Sequence, residues 1–258
     1  MYPYMEIFGR LIPSYLVMAL IGLVFTLVLA LIRRKKGNLN FQAEDVILMI
    51  LIAAIGAMLG AKAFQLVGVI LRDGNEPGFW TWEHWKSLIP TAGVFYGGFI
   101  GGFAAMLIYI RKNKFDFWKV ADLMVPSILL FCTFGRIGCF LAGCCYGKVS
   151  HTCGIVPLYG AEPLIPVQLY ESAFTLVLLI GLLITRPERK REGILLPIYI
   201  LSYAAARFAL EFFRGDMQRG VFILSTSQWI SLLMVPLGIY LLLRNKKHNE
   251  KPPAESNE

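Results

Sequence analysis

The stretch FWKVADLMVPSILLFCTFGRIGCFLAGCCYGK, residues 117–148, decides how this chain is read. Residues 117–142 form an apolar run long enough to cross a bilayer, for which about 20 residues suffice. The end of the run and the residues just beyond it, Gly135 to Lys148, hold an arginine, glycines and three cysteines. A cation in hydrocarbon costs about 2.5–3.5 kcal/mol even on lenient insertion scales. Arg136 must therefore face a cavity, a partner or the interface, and not lipid.

The rest of the chain has the same character. Of its 258 residues 57% are hydrophobic and 16% charged, with a mean hydropathy of +0.61. A soluble domain carries about a quarter charged residues. The reading is an all-α, polytopic integral membrane protein. Seven transmembrane helices are predicted, at Leu11–Ile32, Val46–Leu71, Leu88–Ile110, Phe117–Ala142, Val167–Thr185, Ile194–Phe213 and Ser227–Leu243. They make one domain, residues 1–245, followed by a solvated tail, 246–258, whose composition predicts disorder. Arg33-Arg34-Lys35-Lys36 follows the first span without a small-residue cleavage site, so that span reads as retained and not as a signal peptide.

Basic residues orient the bundle. Four Lys or Arg follow each of spans one, three, five and seven, among them Arg33, Arg111, Arg186 and Arg244. Only Arg10, Arg72, Lys86, Lys148, Arg214 and Arg219 fall on the other side. The positive-inside rule then puts the N-terminus outside and the C-terminus in the cytoplasm. The net charge of +8 is accounted for by topology, and no nucleic-acid partner is expected.

Three cations remain inside the spans: Lys62, Arg136 and Arg207, with Asp122, Glu171 and Glu211 as acidic candidates to pair with them. On a continuous helix Arg207, Glu211 and Arg214 would share one face. Both arginines of that face, with Arg136, fall toward the outer leaflet, where the phosphate of a lipid headgroup suits a guanidinium fork. At the same level lie Tyr15, the run Tyr96-Gly97-Gly98, and Gln168, Tyr170 and Glu171. Taken singly, tyrosines form interfacial belts and glycines allow close helix packing. Five polar clusters from five spans at one membrane face point instead to a lined cavity.

In order along the chain, VFYGG, VADLMVP, GRIGCFLAGCCYG, PVQLYES, ARFALEFFRGD and SQWISL resemble the motifs of the prolipoprotein diacylglyceryl transferases, and Tyr15 also matches. The resemblance covers residues 11–243 and implies the seven-span fold with its N-terminus outside. It implies transfer of a diacylglyceryl group from phosphatidylglycerol to the lipobox cysteine of a precursor protein at the outer leaflet of the cytoplasmic membrane, releasing glycerol phosphate. It makes Arg136 and Arg214 the essential arginines. Arg207, Tyr15, Asp122, Gly147, Gln168, Tyr170 and Glu171 line or support the cavity, and no metal or organic cofactor is implied. Lys62, Gly97, Gly98, Cys139, Cys144 and Glu211 complete the substrate-binding candidates, and Tyr96 joins the two arginines as a catalytic candidate.

The chain departs from the family pattern at three places. A histidine usual before the paired glycines is Tyr96, and a phenol is a poor base at neutral pH. The usual asparagine and glutamate of the arginine motif are Cys139 and Cys144, the latter beside Cys145. His84, His151 and His248 do not restore the missing base, although His151 follows the motif closely. Cys132 reads as a small buried apolar residue. For Cys139, Cys144, Cys145 and Cys153 three readings stay open: a disulfide, such as Cys144 or Cys145 to Cys153; close packing; or a reactive thiolate beside Arg136. Histidines at ligand spacing are missing, so metal ligation is not expected. Two further functions remain open: a sulfur-dependent membrane transferase with another lipid or thiol acceptor, and a non-catalytic carrier of anionic lipid.

Overall fold

The computed structural model describes residues 3–7, 9–37, 41–74, 80–82, 85–86, 95–157, 160, 162–215, 220–221 and 224–249. His84, the start of the third expected span, Arg219 and the last nine residues lie outside the described residues. Seven long helices run through the described part: α1 (Ser14–Gly37), α2 (Ala43–Asp73), α3 (Phe95–Lys112), α4 (Phe117–Ala142), α5 (Val167–Thr185), α6 (Leu195–Glu211) and α7 (Thr226–Asn249). Helices α1, α2, α4, α5 and α7 are long and apolar enough to cross a membrane. Leu, Ile, Phe and Val side chains stand exposed along them, among them Val24, Leu59, Val177 and Leu233. Apolar surface on that scale suits lipid and not water.

The chain is mostly helical, as expected, with four short strands beside the helices. Strands β1 (Tyr4–Ile7) and β2 (Arg10–Pro13) form an antiparallel hairpin turned at Gly9, which has φ +73°. Leu11, Ile12 and Pro13, expected as the start of the first span, are strand. Pro13 drives the residue before it, Ile12, out of helical backbone and into extended backbone, and the Ser14 amide donates to the Pro3 carbonyl. A second, two-residue pairing joins β3 (Gly220–Val221) to β4 (Leu224–Ser225) ahead of α7. At the other terminus α7 continues to Asn249, past the expected boundary at 245.

The chain divides into two compact units, residues 40–116 and the remainder. In the smaller unit α2 packs on α3 through two small-residue repeats, Gly56-x-x-x-Gly60 and Gly97-x-x-x-Gly101. A Cβ added at Gly60 would stand 2.9 Å from the Gly101 Cα, and one at Gly101 equally close to the Gly60 Cα. Backbone-to-backbone approach of this kind replaces the hydrophobic effect as the glue between helices in lipid.

The larger unit holds α1 and α4 to α7 around Val125, Leu129, Leu179, Leu182, Ile194 and Leu195. Phe25 of α1 stacks on Phe134 of α4 at 5.3 Å. Several buried polar groups between these helices are closed off in pairs. Thr26 donates to the Ser127 carbonyl. Thr133 and Thr175 share a 2.9 Å bond between α4 and α5, and Ser172 donates to the Thr133 carbonyl.

One end of this unit is anchored by Asp122, one turn into α4. Its carboxylate accepts from the amides of Gly193 and Leu195, and so caps α6 across the bundle. Arg33 at the end of α1 donates to the Asp122 carbonyl and to Glu188 at 3.0 Å. Asp122→Ala removes the acceptor for two buried amides and should destabilise by about 1–3 kcal/mol. Asp122→Asn should recover part of the loss, read as unfolding temperature in detergent. In the smaller unit, Gly101→Val should force the helices apart at a cost of about 1–3 kcal/mol or more. Gly68→Ala, where an added Cβ meets nothing within 4 Å, should leave the same transition unchanged or raised.

Candidate active site

The far end of α4 shows how the sequence stops a membrane helix. Gly143 takes φ +78°, its amide donates to the Phe140 carbonyl, and the Cys144 amide donates to the Cys139 carbonyl. This is the glycine-terminated Schellman turn, in which the residue after the glycine returns over the residue five before it. The pair usually brought together is apolar; here it is Cys139 and Cys144. Cys145 also adopts left-handed backbone, φ +67°, a conformation uncommon outside glycine. Its sulfur lies 3.6 Å from that of Cys144. The three sulfurs of Cys139, Cys144 and Cys145 all fall within 4.8 Å of one another. Spacing did not anticipate this cluster, because two left-handed residues fold the chain back. All five cysteines are free thiols. The Cys145 thiol is held well below the ordinary thiol range by sulfur hydrogen bonds with Cys139 and Cys144, helped by the charges of Arg214 and Arg136.

One turn before the cluster, Arg136 reaches the carboxylate of Glu171 on α5 at 2.9 Å. Glu171 is 2% exposed, so its charge needs partners, and three surround it. The Tyr203 hydroxyl of α6 donates to Oε1 at 2.7 Å and stands beside the Arg136 guanidinium. Arg207 of α6 lies 3.9 Å from Oε2. Arg207 also pairs with Glu211 at 2.9 Å, one turn on, and donates to Ser227 of α7 at 3.2 Å. The carboxylates of Glu171 and Glu211 thus hold Arg136 and Arg207 in one network across α4, α5 and α6, with α7 joined through Ser227.

Arg214 reaches the same region by another route, which corrects the single-face expectation. Helix α6 ends at Glu211, and the amides of Phe212, Phe213 and Arg214 close back on the last turn. Arg214 sits in an antiparallel bridge with Gly147, and its residue is 7% exposed. Lys148 donates to the Phe213 carbonyl, while Gly147 donates to that of Ile165. A Cβ at Gly147 would meet a Val167 methyl at 2.7 Å and the Ile165 Cβ at 3.0 Å. Glycine is what lets the Arg214 segment and the start of α5 close around the chain that leaves the cysteine turn. Gln168, 1% exposed, ties that turn down by donating to the Cys144 carbonyl.

Tyr15 packs over Gly138, where an added Cβ would lie 3.2 Å from the ring, and neighbours the cysteines and Arg136. The larger unit therefore gathers Tyr15, Arg136, Cys139, Cys144, Gly147, Gln168, Glu171, Arg207, Glu211 and Arg214 around one end of α4. Tyr170 stands 43% exposed on α5. Asp122 is not gathered there: fourteen residues from Arg136, it lies about 21 Å along the helix and serves as the cap described above. Lys62, Tyr96, Gly97 and Gly98 belong to the smaller unit. Within it Lys62 donates to Gln65 at 3.1 Å, and both glycines are buried against α2. His151 is exposed in a turn. Tyr203 and Ser227 were not anticipated, although the spacing of Tyr203 four residues before Arg207 offered a signal.

The family model for prolipoprotein diacylglyceryl transferase matches residues 4–244. The chain is 35% identical over 243 residues to the phosphatidylglycerol–prolipoprotein diacylglyceryl transferase of Clostridium tetani, covering 92% of this chain and 94% of that one. It is 34% identical to the phosphatidylglycerol–prolipoprotein diacylglyceryl transferase 2 of Clostridium perfringens, over 97% of each chain. To the Campylobacter hominis transferase of the same description it is 31% identical, over 95% of this chain. The chain belongs to the prolipoprotein diacylglyceryl transferase family, and with its apolar helices it is a multi-pass membrane protein.

Removing Glu171 takes the carboxylate from the partly buried Arg136 and the farther of two from Arg207, which keeps Glu211; breaking a fully buried pair costs about 3–5 kcal/mol, an upper bound here. Glu171→Ala should therefore lower the unfolding temperature most. Glu171→Gln, which keeps an acceptor for Tyr203, should lower it less, and Tyr203→Phe least, followed by tryptophan fluorescence in detergent.

Proposed function

We propose that this chain moves the diacylglyceryl group of phosphatidylglycerol to the thiol of a lipobox cysteine in a precursor protein, forming a thioether and releasing glycerol phosphate. The observation that carries the reading is the arginine network at the end of α4, in a chain of this family. Arg136, Arg207 and Arg214 bring three positive charges, and Glu171 and Glu211 compensate two. The surplus positive charge favours an anionic phosphate. Arg136, whose side chain is 22% exposed, is the guanidinium best presented to it.

The reaction needs a thiol sulfur to displace a phosphate from a glycerol carbon. Charge accumulates on the leaving phosphate, and donors already fixed in place stabilise it without reorganising at the moment of reaction. Glu171, Glu211, Tyr203 and the Gly147 bridge act as positioning groups for those arginines. Tyr15, Cys139, Cys144, Gln168 and Tyr170 line the substrate. Tyr96 takes the sequence position of the histidine usual in the family, a leading candidate for activating the thiol. Seven spans forming one transmembrane domain, with the N-terminus outside, would set the site at the outer leaflet of the cytoplasmic membrane; the distribution of Lys and Arg supports this.

The cysteine trio supports a second reading, in which Cys139 or Cys144 is essential and the acceptor is another thiol or lipid. Expression in cells depleted of their own transferase, with precursor lipidation followed by mobility shift, tests the first. Wild type should rescue, and Arg136→Gln and Arg214→Gln should each lose about 10²–10³ in rate, the scale for removing one transition-state donor. Failure of wild type to rescue, together with no glycerol phosphate release from phosphatidylglycerol vesicles, would overturn the first reading, and undiminished activity in Cys139→Ser and Cys144→Ser would overturn the second.

A further inference from the structure

Three thiols within 4.8 Å of one another, two of them at positions where the chain departs from the family pattern, are a donor set. Zinc–thiolate bonds of about 2.3 Å put the sulfurs of a shared ion roughly 3.8–4.0 Å apart. The Cys144–Cys145 pair is already at 3.6 Å, so modest side-chain rotation closes the trio on one ion. The frame behind the sulfurs is built: the helix-ending turn stacks Cys144 on Cys139, and Gln168 holds the Cys144 carbonyl from α5. Cys144 is exposed, which gives an ion a way in. Three thiolates and a divalent ion sum to one negative charge, and Arg136 and Arg214 are near enough to act on the cluster electrostatically.

We propose that Cys139, Cys144 and Cys145 bind one thiophilic divalent cation of the zinc class, with a fourth position open to an incoming thiol. Three protein ligands and an open place are the arrangement of a catalytic zinc and not of a structural one. The ligand thiols release their protons to solvent as the ion binds. The open position takes the acceptor cysteine, whose thiol likewise gives up its proton on coordination. Its sulfur electron pair forms the S–C bond while the C–O bond to phosphate breaks. The glycerol phosphate leaves beside the arginines with the electron pair of the broken C–O bond, as a dianion, and nothing is oxidised or reduced. The role of the open position rests on the diacylglyceryl-transfer reading above; the ion site does not. It would supply thiol activation in a chain whose histidine position is Tyr96.

The test uses the purified full chain in detergent, with Cd²⁺ as the probe and thiolate-to-cadmium ultraviolet absorption as the readout. Wild type should saturate at one ion per chain and gain thermal stability as it does so, by binding linkage. Cys132→Ser/Cys153→Ser should keep the whole band. Cys139→Ser/Cys144→Ser/Cys145→Ser should lose both the band and the Cd²⁺-dependent stabilisation. Cys145→Ser alone, outside the helix, should weaken both without loss of fold. A single-cysteine lipobox peptide should then add the absorption of one further thiolate. No saturable band in wild type, or an undiminished band in the triple variant, overturns the site. A band that the peptide leaves unchanged overturns the open position, as does undiminished lipidation by protein stripped of metal and verified by elemental analysis. Cadmium and peptide binding without any glycerol phosphate release from phosphatidylglycerol vesicles, in the zinc-loaded protein, keeps the site and overturns the transfer reading.

Discussion

Glu171 is one carboxylate on which four helices depend. It lies buried on α5, receives Arg136 from α4 and Tyr203 and Arg207 from α6, and through Arg207 is linked to Glu211 and to Ser227 of α7. In low-dielectric surroundings none of these charges can stand alone, and each therefore constrains the position of the others. A pair of this kind adds little net stability over an apolar replacement, yet breaking it is expensive. What it provides is orientation: guanidinium groups held in fixed positions.

The opposite end of the same bundle uses the same physics for a different purpose. Asp122, Arg33 and Glu188 tie the start of α4, the end of α1 and the turn after α5 to the first amides of α6. Between the two polar ends lie apolar contacts and a short ladder of threonine and serine hydroxyls. The outcome is a bundle with an arginine-rich end and a capped end.

The cysteine turn joins helix termination to chemistry. A glycine after α4 is an ordinary way to satisfy the last carbonyls. The contact it imposes falls on Cys139 and Cys144, two of the positions at which the chain departs from its family's pattern. The departures are thus neighbours in space, one change of environment and not two scattered ones. Gly147 then lets the chain pass between the start of α5 and the Arg214 segment.

Much of this was legible in residues 117–148 and their counterparts. The bounds of α4 and α5 coincide with those read from hydropathy, because each apolar run meets an unambiguous breaker or polar cluster at both ends. The cost of charge in lipid singled out Arg136, Arg207, Glu171 and Glu211, and the four-residue spacing of Arg207 and Glu211 was enough to pair them. The turn at Gly143 was readable in principle, since a glycine past a helix end specifies which residues meet. Only the tertiary structure decided the rest. Asp122 finds its partners some seventy residues away, and Arg214 enters through a strand bridge after its helix has ended. Such contacts depend on which segments lie side by side, and helical periodicity carries information only along a single helix.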